Sequence, residues 1–345
     1  MRTNSALKSL HPDMNANYEY ETEDLRHLQP QQQAAFLKER LIDENPDVRN
    51  RVYLLRGTFE EAIYRMTNME SLASDCDGTL TGIGTEHLDP RALHYLLELY
   101  DKNLSVRAVT GRHKAQIDAL HRSHPQGMGL KEWIFEQGAY RSNGIEEPEF
   151  FLGGPELEEK VAYIRTAMKS IFDEAAKKFN VEFNPTSGGG HKTILSYDAE
   201  IPGTGKRITD HKLHETIMEF LKPHATERVA DETWPLNSSA TGIFEWARNH
   251  GSMGKGPAIL ELARRGELQL HTSGFAGDSS NDMSAFELED LLKIVVVNKH
   301  TPNAIINLSD VATIGEGNAA PVLNMMNRVR QHELFHDILS PSYRP

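Results

Sequence analysis

Hydrophobic positions recur at two intervals along this chain, and the way the intervals alternate predicts its architecture. A polar, irregular stretch over residues 1–30 gives way to QPQQQAAFLKERLIDENP (29–46) and TFEEAIYRMTNMES (58–71), whose apolar residues have helical spacing among good helix formers. These segments predict a helical N-terminal extension over residues 1–68. SLASD (71–75) is a short, largely apolar run ending on a carboxylate and followed by Gly78, the pattern of a buried strand opening into a loop. A helix over 89–103, the strand and turn LSVRAVTGRH (104–113), the helix AQIDALHRSH (115–124) and the strand EWIFEQG (132–138) continue the alternation.

The texture changes between about residues 140 and 250. A long amphipathic helix, ELEEKVAYIRTAMKSIFDEAAKKF (156–179), precedes the strands VEFNP (181–185) and HKTILSYDAEIP (191–202), a helix over 210–223, and TGIFEWARN (241–249). Alternation resumes through 255–266, 271–278, 281–290, 291–298 and 301–310. The expected fold is α/β: a doubly wound parallel sheet over 69–140 and 250–345, interrupted by an α+β insert at 141–249. Ligands of such sheets bind beyond the carboxyl ends of the strands.

Composition narrows the class. With 39% hydrophobic and 25% charged residues, the 345-residue chain can bury substantial cores without staples. Cys76 is the only cysteine, so one chain can build neither a disulfide nor a Cys-based zinc site, and a cytoplasmic location is expected. No apolar run reaches membrane-spanning length, and the first twenty residues lack the apolar stretch of a secretory signal. A formal charge of −13 argues against a nucleic-acid partner, whereas a small phosphate ester remains compatible because local contacts outweigh screened distant charge.

Four short motifs carry chemistry. DCDGTLT (75–81) sets two carboxylates at a strand end, where Asp75 can attack phosphorus and Asp77 can handle protons for the leaving oxygen and for water. An Asp-Gly turn with an incidental second carboxylate accounts equally well for those residues taken alone. GDSSND (277–282) supplies Asp278 and Asp282, hard oxygen ligands suited to Mg²⁺; helix capping by Ser280 or Asn281 is the alternative. AVTGR (108–112) offers the Thr110 hydroxyl and the Gly111 backbone for a phosphate oxygen, and Lys255 can offset the crowded charge.

In their order, DxDGT, TGR, Lys-Gly and GDxxND, these motifs resemble the haloacid-dehalogenase-like (HAD) superfamily of hydrolases. The likeness spans roughly residues 70–330 and is to subfamily IIB, whose large cap lies between the second and third motifs and which contains many sugar phosphatases. It implies a HAD-like catalytic core with residues 141–249 as cap domain, a phosphorylated Asp75, Asp77 as acid/base, and Thr110, Gly111 and Lys255 holding the phosphoryl group. It also implies Mg²⁺ on the Asp75 side chain, the Asp77 carbonyl and Asp278, supported by Asp282 and Asn281. FEQGAY (135–140) is similar to the segment at the mouth of the cap, with Gln137 where the family has Asn or His. Element order is similar to sucrose-phosphate and trehalose-phosphate phosphatases, and GDSSND sits nearer the sucrose style. Within the cap, His191 and Lys192 on the strand after GGG, and Glu245, are the candidates for binding sugar hydroxyls.

The expected partner is therefore a small sugar phosphate, with Mg²⁺ as cofactor and the oligomeric state open. Two rivals accompany this expectation: a phosphomutase of the same branch, and a non-catalytic scaffold or effector acting through the N-terminal extension. GGGHKT, GTGKR and GSMGKG fail the spacing of a nucleotide phosphate loop, and GEGNAA (315–320) reads as a loop despite its dinucleotide-like glycines. The pairs His121/His124 and His211/His214 read as helix surface, and the aromatics of IFEWA (243–247) as core.

Overall fold

The computed structural model describes residues 21–42, 49–83, 85, 87–125, 127–144, 146–186, 190–224, 236–237, 242–246 and 253–330. Residues 1–20 of the extension, most of the GGG tract, residues 251–252 and the 249/250 boundary lie outside them. The described chain opens with strand β1 (Glu21–Asp24) and helix α1 (Pro30–Arg40), which starts on a proline and a reciprocal Gln29/Gln32 cap. Strand β2 (Arg51–Leu54) and helix α2 (Phe59–Thr67) follow; Thr58 caps α2 by accepting from the Glu61 N–H. Next come β3 (Ser71–Ser74), buried throughout, then α3 (Pro90–Asp101), capped by Asp89, and β4 (Ser105–Val109).

Contacts divide the chain into two units, one of Met1–Ala108, Leu120–Glu132 and Leu262–Pro345, the other of Val109–Ala119 and Trp133–Glu261. After α4 (Lys114–Ser123) comes a short antiparallel meander, β5 (Glu132–Phe135), β6 (Tyr140–Ser142) and β7 (Glu149–Phe150), which from Trp133 onward belongs to the second unit. Helix α5 (Glu156–Phe179) buries Leu157, Val161, Ile164, Met168, Phe172 and Ala175, a stripe at intervals of three and four. Acidic residues in its first turn and Lys177 and Lys178 in its last complement the helix dipole. Strand β9 (Leu195–Ile201) pairs antiparallel with β8 (Glu182–Pro185), β10 (Lys206–Arg207) and, beyond α6 (His211–Leu221), with β12 (Ile243–Trp246), which pairs with β11 (Leu236–Asn237).

The core of this small sheet is aromatic. Phe172 stands 4.3 Å from Tyr197 and 5.0 Å from Phe183, and Phe183 stands 5.7 Å from a fully buried Phe244. Phe244 is thus core, as its pattern implies. His214 is buried beside it, its Nδ1 accepting from the Gly242 N–H at 3.1 Å. In GTGKR (203–207), residues 203–205 lie in the turn between β9 and β10, with Gly203 and Gly205 both at positive φ, and Lys206 and Arg207 form β10.

Helix α7 (Lys255–Arg264) leads out of the second unit to β13 (Ser273–Gly277), α8 (Met283–Phe286), β14 (Leu292–Val297), α9 (Asn303–Leu308), β15 (Val311–Ile314) and α10 (Ala320–Arg330). Strand order in the first unit is β1-β2-β15-β14-β13-β3-β4, parallel from β15 to β4. The chain leaves β3 toward β4 on one side and returns as β13 on the other, so the carboxyl ends of β3 and β13 mark the point where strand order reverses.

The N-terminal segment contains helices α1 and α2, as the spacing predicts, and contributes two strands as well. Val52, Tyr53 and Leu54 are buried as β2 lies antiparallel to β15, and the Leu55 and Arg56 N–H groups both donate to the Asp310 carbonyl. A short β-branched and aromatic run thereby covers an edge that β15 would otherwise leave open. Among the described residues, no helix is long and apolar enough to cross a membrane.

Candidate active site

Strand β3 delivers Asp75 to the switch point. The Asp75 N–H still donates to the Ala276 carbonyl of β13 at 2.8 Å, after which the chain turns sharply: the N–H groups of Thr79, Leu80 and Thr81 converge on the Cys76 carbonyl. Gly78 enables this turn. Its φ is +81°, and a Cβ there would lie 2.3 Å from an Asp278 carboxylate oxygen. Asp75 is buried and Asp77, on the same loop, is partly exposed.

Asp278 follows the last residue of β13, and its two oxygens are addressed separately. Asn298 Nδ2 donates to Oδ2 at 2.7 Å and Thr79 Oγ1 donates to Oδ1 at 3.2 Å. Asp282 uses its Oδ2 to accept from the Asp278 N–H, the Ser279 N–H and the Ser279 hydroxyl. Ser279, rather than Ser280 or Asn281, is the capping residue, because it and Asp282 satisfy each other's backbone N–H groups reciprocally. Capping therefore occupies one oxygen of Asp282 while the carboxylate stays in the cluster.

Asp75, Asp278 and Asp282 are all buried, and each offers an oxygen within 4.8 Å of the others'. Two unit charges at that separation repel by about 3 kcal/mol at an effective dielectric of about 20. Packing three carboxylates this way favours a divalent cation among them, and an all-oxygen donor set fits Mg²⁺. The loop of residues 315–317 braces the site: the Gly317 N–H donates to the Gly78 carbonyl, and Glu316 accepts from the Ile83 N–H at 2.8 Å. GEGN is a loop packed on the DxDGT turn.

The other motif residues lie in the second unit. Thr110 follows the last residue of β4, is buried, donates its N–H to the Ile134 carbonyl and accepts from the Arg112 N–H through Oγ1. Lys255 is only 2% exposed and opens α7, the helix end where a cation is least favoured and an anion most welcome. A turn at 136–138 ties the two together. Gln137 donates its N–H to the Thr110 carbonyl at 3.3 Å, and its carbonyl accepts from the Gly254 N–H at 2.7 Å, beside Lys255. A Cβ on Gly111 would stand 3.0 Å from Gln137 Nε2.

The turn is costly. Glu136, Gln137 and Gly138 have φ of 48°, 56° and 94°, and each non-glycine residue held there costs of order 1–3 kcal/mol. Glu136 is buried, and one of its oxygens accepts from the Lys192 N–H, the Thr193 N–H and the Thr193 hydroxyl. Burial raises its pKa, against which those three donors pull down. Because Glu136 takes the N–H groups of residues 192 and 193, His191 and Lys192 do not belong to a strand as their pattern predicts. They sit in a bend before β9.

Among the cap candidates, His191 packs edge-on against His113 with centroids 5.0 Å apart, and burial with nearby His113 and Arg165 lowers its pKa to about 4. Lys192 is exposed, 3.7 Å from Glu158. Glu245 stands apart on β12, opposite Ser196, whose hydroxyl reaches it at 3.4 Å. Sequence reasoning missed Asn298, Thr79 and Glu136. Asn298 carries the clearest available signal, a polar residue immediately after the apolar run IVVV.

No family profile and no curated protein matches the chain in sequence. Solved structures match its fold. A haloacid dehalogenase-like hydrolase from B. subtilis is 17% identical, the match covering 75% of this chain and 99% of that one with a TM-score of 0.52. Thermoplasma acidophilum 0175 is 16% identical over 76% and 99%, with a TM-score of 0.53. BT1666 from Bacteroides thetaiotaomicron, described among phosphatases of the haloalkanoate (HAD) superfamily, is 12% identical over 76% and 95%, with a TM-score of 0.50. The chain thus has the mixed α/β fold of HAD-like hydrolases.

Proposed function

We propose that this chain is a Mg²⁺-dependent phosphomonoesterase of the HAD-like superfamily, subfamily IIB, acting on a sugar phosphate. The observation that carries this reading is the buried trio Asp75, Asp278 and Asp282 at the switch point of the parallel sheet. Residues 69–140 and 250–345 form its catalytic core, residues 141–249 its cap and residues 1–68 an extension. A disaccharide phosphate in the style of sucrose or trehalose phosphate is the narrower form of the substrate.

Asp75 attacks phosphorus, forming an aspartyl-phosphate while the sugar oxygen leaves with a proton from Asp77. Asp77 then takes a proton from water, which attacks the same phosphorus and frees Asp75 and phosphate. Thr110, the Gly111 backbone and Lys255 hold the non-transferring oxygens. Asp75, the Asp77 carbonyl, Asp278 and Asp282 would hold Mg²⁺, which supplies neutralisation of charge on the phosphoryl group. Asn298 and Thr79 orient Asp278 for that task. His191, Lys192 and Glu245 contact sugar hydroxyls.

Phosphate release from a panel of mono- and disaccharide phosphates and aryl phosphates, with Mg²⁺ present, tests the reading. Activity without a bisphosphate activator separates it from a phosphomutase. Asp75→Asn should lower turnover by at least about a thousandfold with the circular dichroism spectrum unchanged, since the attacking group is removed and the packing kept. Unchanged turnover would remove Asp75 from its role.

A further inference from the structure

Residues 190–193 are held from two directions within the second unit. On one side the His113 ring lies over Gly190 so closely that a Cβ there would fall 2.4 Å from His113 Cε1, and the same ring packs against His191. On the other, Glu136 accepts from Lys192 N at 2.9 Å, from Thr193 N at 2.8 Å and from Thr193 Oγ1 at 2.8 Å. Both anchors stand in strand-end turns: His113 follows the T-G-R turn after β4, and Glu136 begins the left-handed turn after β5. That second turn is fastened to the first, because the Glu136 N–H donates to the Arg112 carbonyl at 3.0 Å and the Gln137 N–H to the Thr110 carbonyl.

We infer that Glu136 is a positioning residue that fixes the segment carrying His191 and Lys192 in register with the Thr110 turn, and so sets how tightly a sugar leaving group is bound. This inference rests on the phosphatase reading above. A buried carboxylate is well suited to the task. One of its oxygens gathers three donors from two consecutive residues, and the charge strengthens each bond. Thr193 is itself wholly buried, so the junction excludes water. An aryl phosphate presents no sugar hydroxyls to residues 191–192 and should be indifferent to the junction.

The test compares p-nitrophenyl phosphate with whichever sugar phosphate of the panel the wild-type protein hydrolyses fastest. Glu136→Ala should raise KM for the sugar phosphate about tenfold or more and leave kcat for both compounds within about twofold. Glu136→Gln, which keeps an acceptor oxygen, should recover most of that loss. Thr193→Val removes one donor while preserving shape and should raise the sugar-phosphate KM by about threefold, which keeps the inference testable if the alanine variant does not fold. Equal losses on both compounds, or no change in the sugar-phosphate KM for Glu136→Ala and Thr193→Val alike, would overturn the inference. A wild-type protein that hydrolyses p-nitrophenyl phosphate and no sugar phosphate overturns it too, together with the sugar reading, whereas one that hydrolyses neither compound overturns the phosphatase reading itself.

Discussion

Among the described residues, carboxylates are buried in two settings that differ in what surrounds them. At the ends of β3 and β13, Asp75, Asp278 and Asp282 crowd one another within 4.8 Å. In the turn after β5, Glu136 meets two backbone N–H groups and a hydroxyl on one oxygen. The first arrangement accumulates negative charge and favours a cation; the second balances desolvation with donors and fixes a neighbouring segment. Asp282 spans the two, with three donors on one oxygen and two acidic neighbours. The surroundings of a buried carboxylate therefore separate a metal or catalytic role from a positioning one better than its burial does.

The contrast can be broken at Gly78. Gly78→Ala places a Cβ against the Asp278 carboxylate in a left-handed conformation, and should cost about 3 kcal/mol of stability from strain and overpacking together. Urea unfolding measures the loss, and a loss below about 1 kcal/mol would mean that the turn yields easily. Next in size is the response to Mg²⁺. At a hundredfold excess over its dissociation constant, the ion should stabilise the wild-type protein by about 2.7 kcal/mol. Thermal unfolding with and without Mg²⁺ should show that gain abolished in Asp278→Asn and retained in Glu136→Gln. Loss in both variants would erase the distinction between the settings.

The smallest effect concerns His191. Its folded pKa, near 4, lies below the unfolded value near 6.5, so its neutral form is the one the fold accepts. The stability tied to it is present above pH 6.5 and is lost as pH falls from there toward 4, by about 2 kcal/mol. His113 and Arg165, the groups facing it, act in the same direction. His191→Asn should flatten the pH dependence of urea unfolding between pH 7 and 4.5; an unchanged slope would assign it elsewhere.

Local pattern alone determined much of this protein. The helices Glu156–Phe179 and Pro90–Asp101, and strands such as Leu292–Val297, follow from periodicity and caps, which act between residues a few positions apart. The order of DxDGT, TGR, Lys-Gly and GDxxND resembles that of the haloacid dehalogenase-like fold for a similar reason, since three of these motifs are strand ends with their turns and the Lys-Gly pair opens a helix. Only the tertiary structure decided that β2 covers β15, that Asn298 and Thr79 orient Asp278, and that Glu136 diverts residues 192 and 193 from a ladder. Those choices pair groups distant in sequence, and their free energy comes from mutual burial and hydrogen bonding that exist only once the strands are side by side. Periodicity records which face of an element is buried, and it holds no record of which distant donor will meet a given oxygen there.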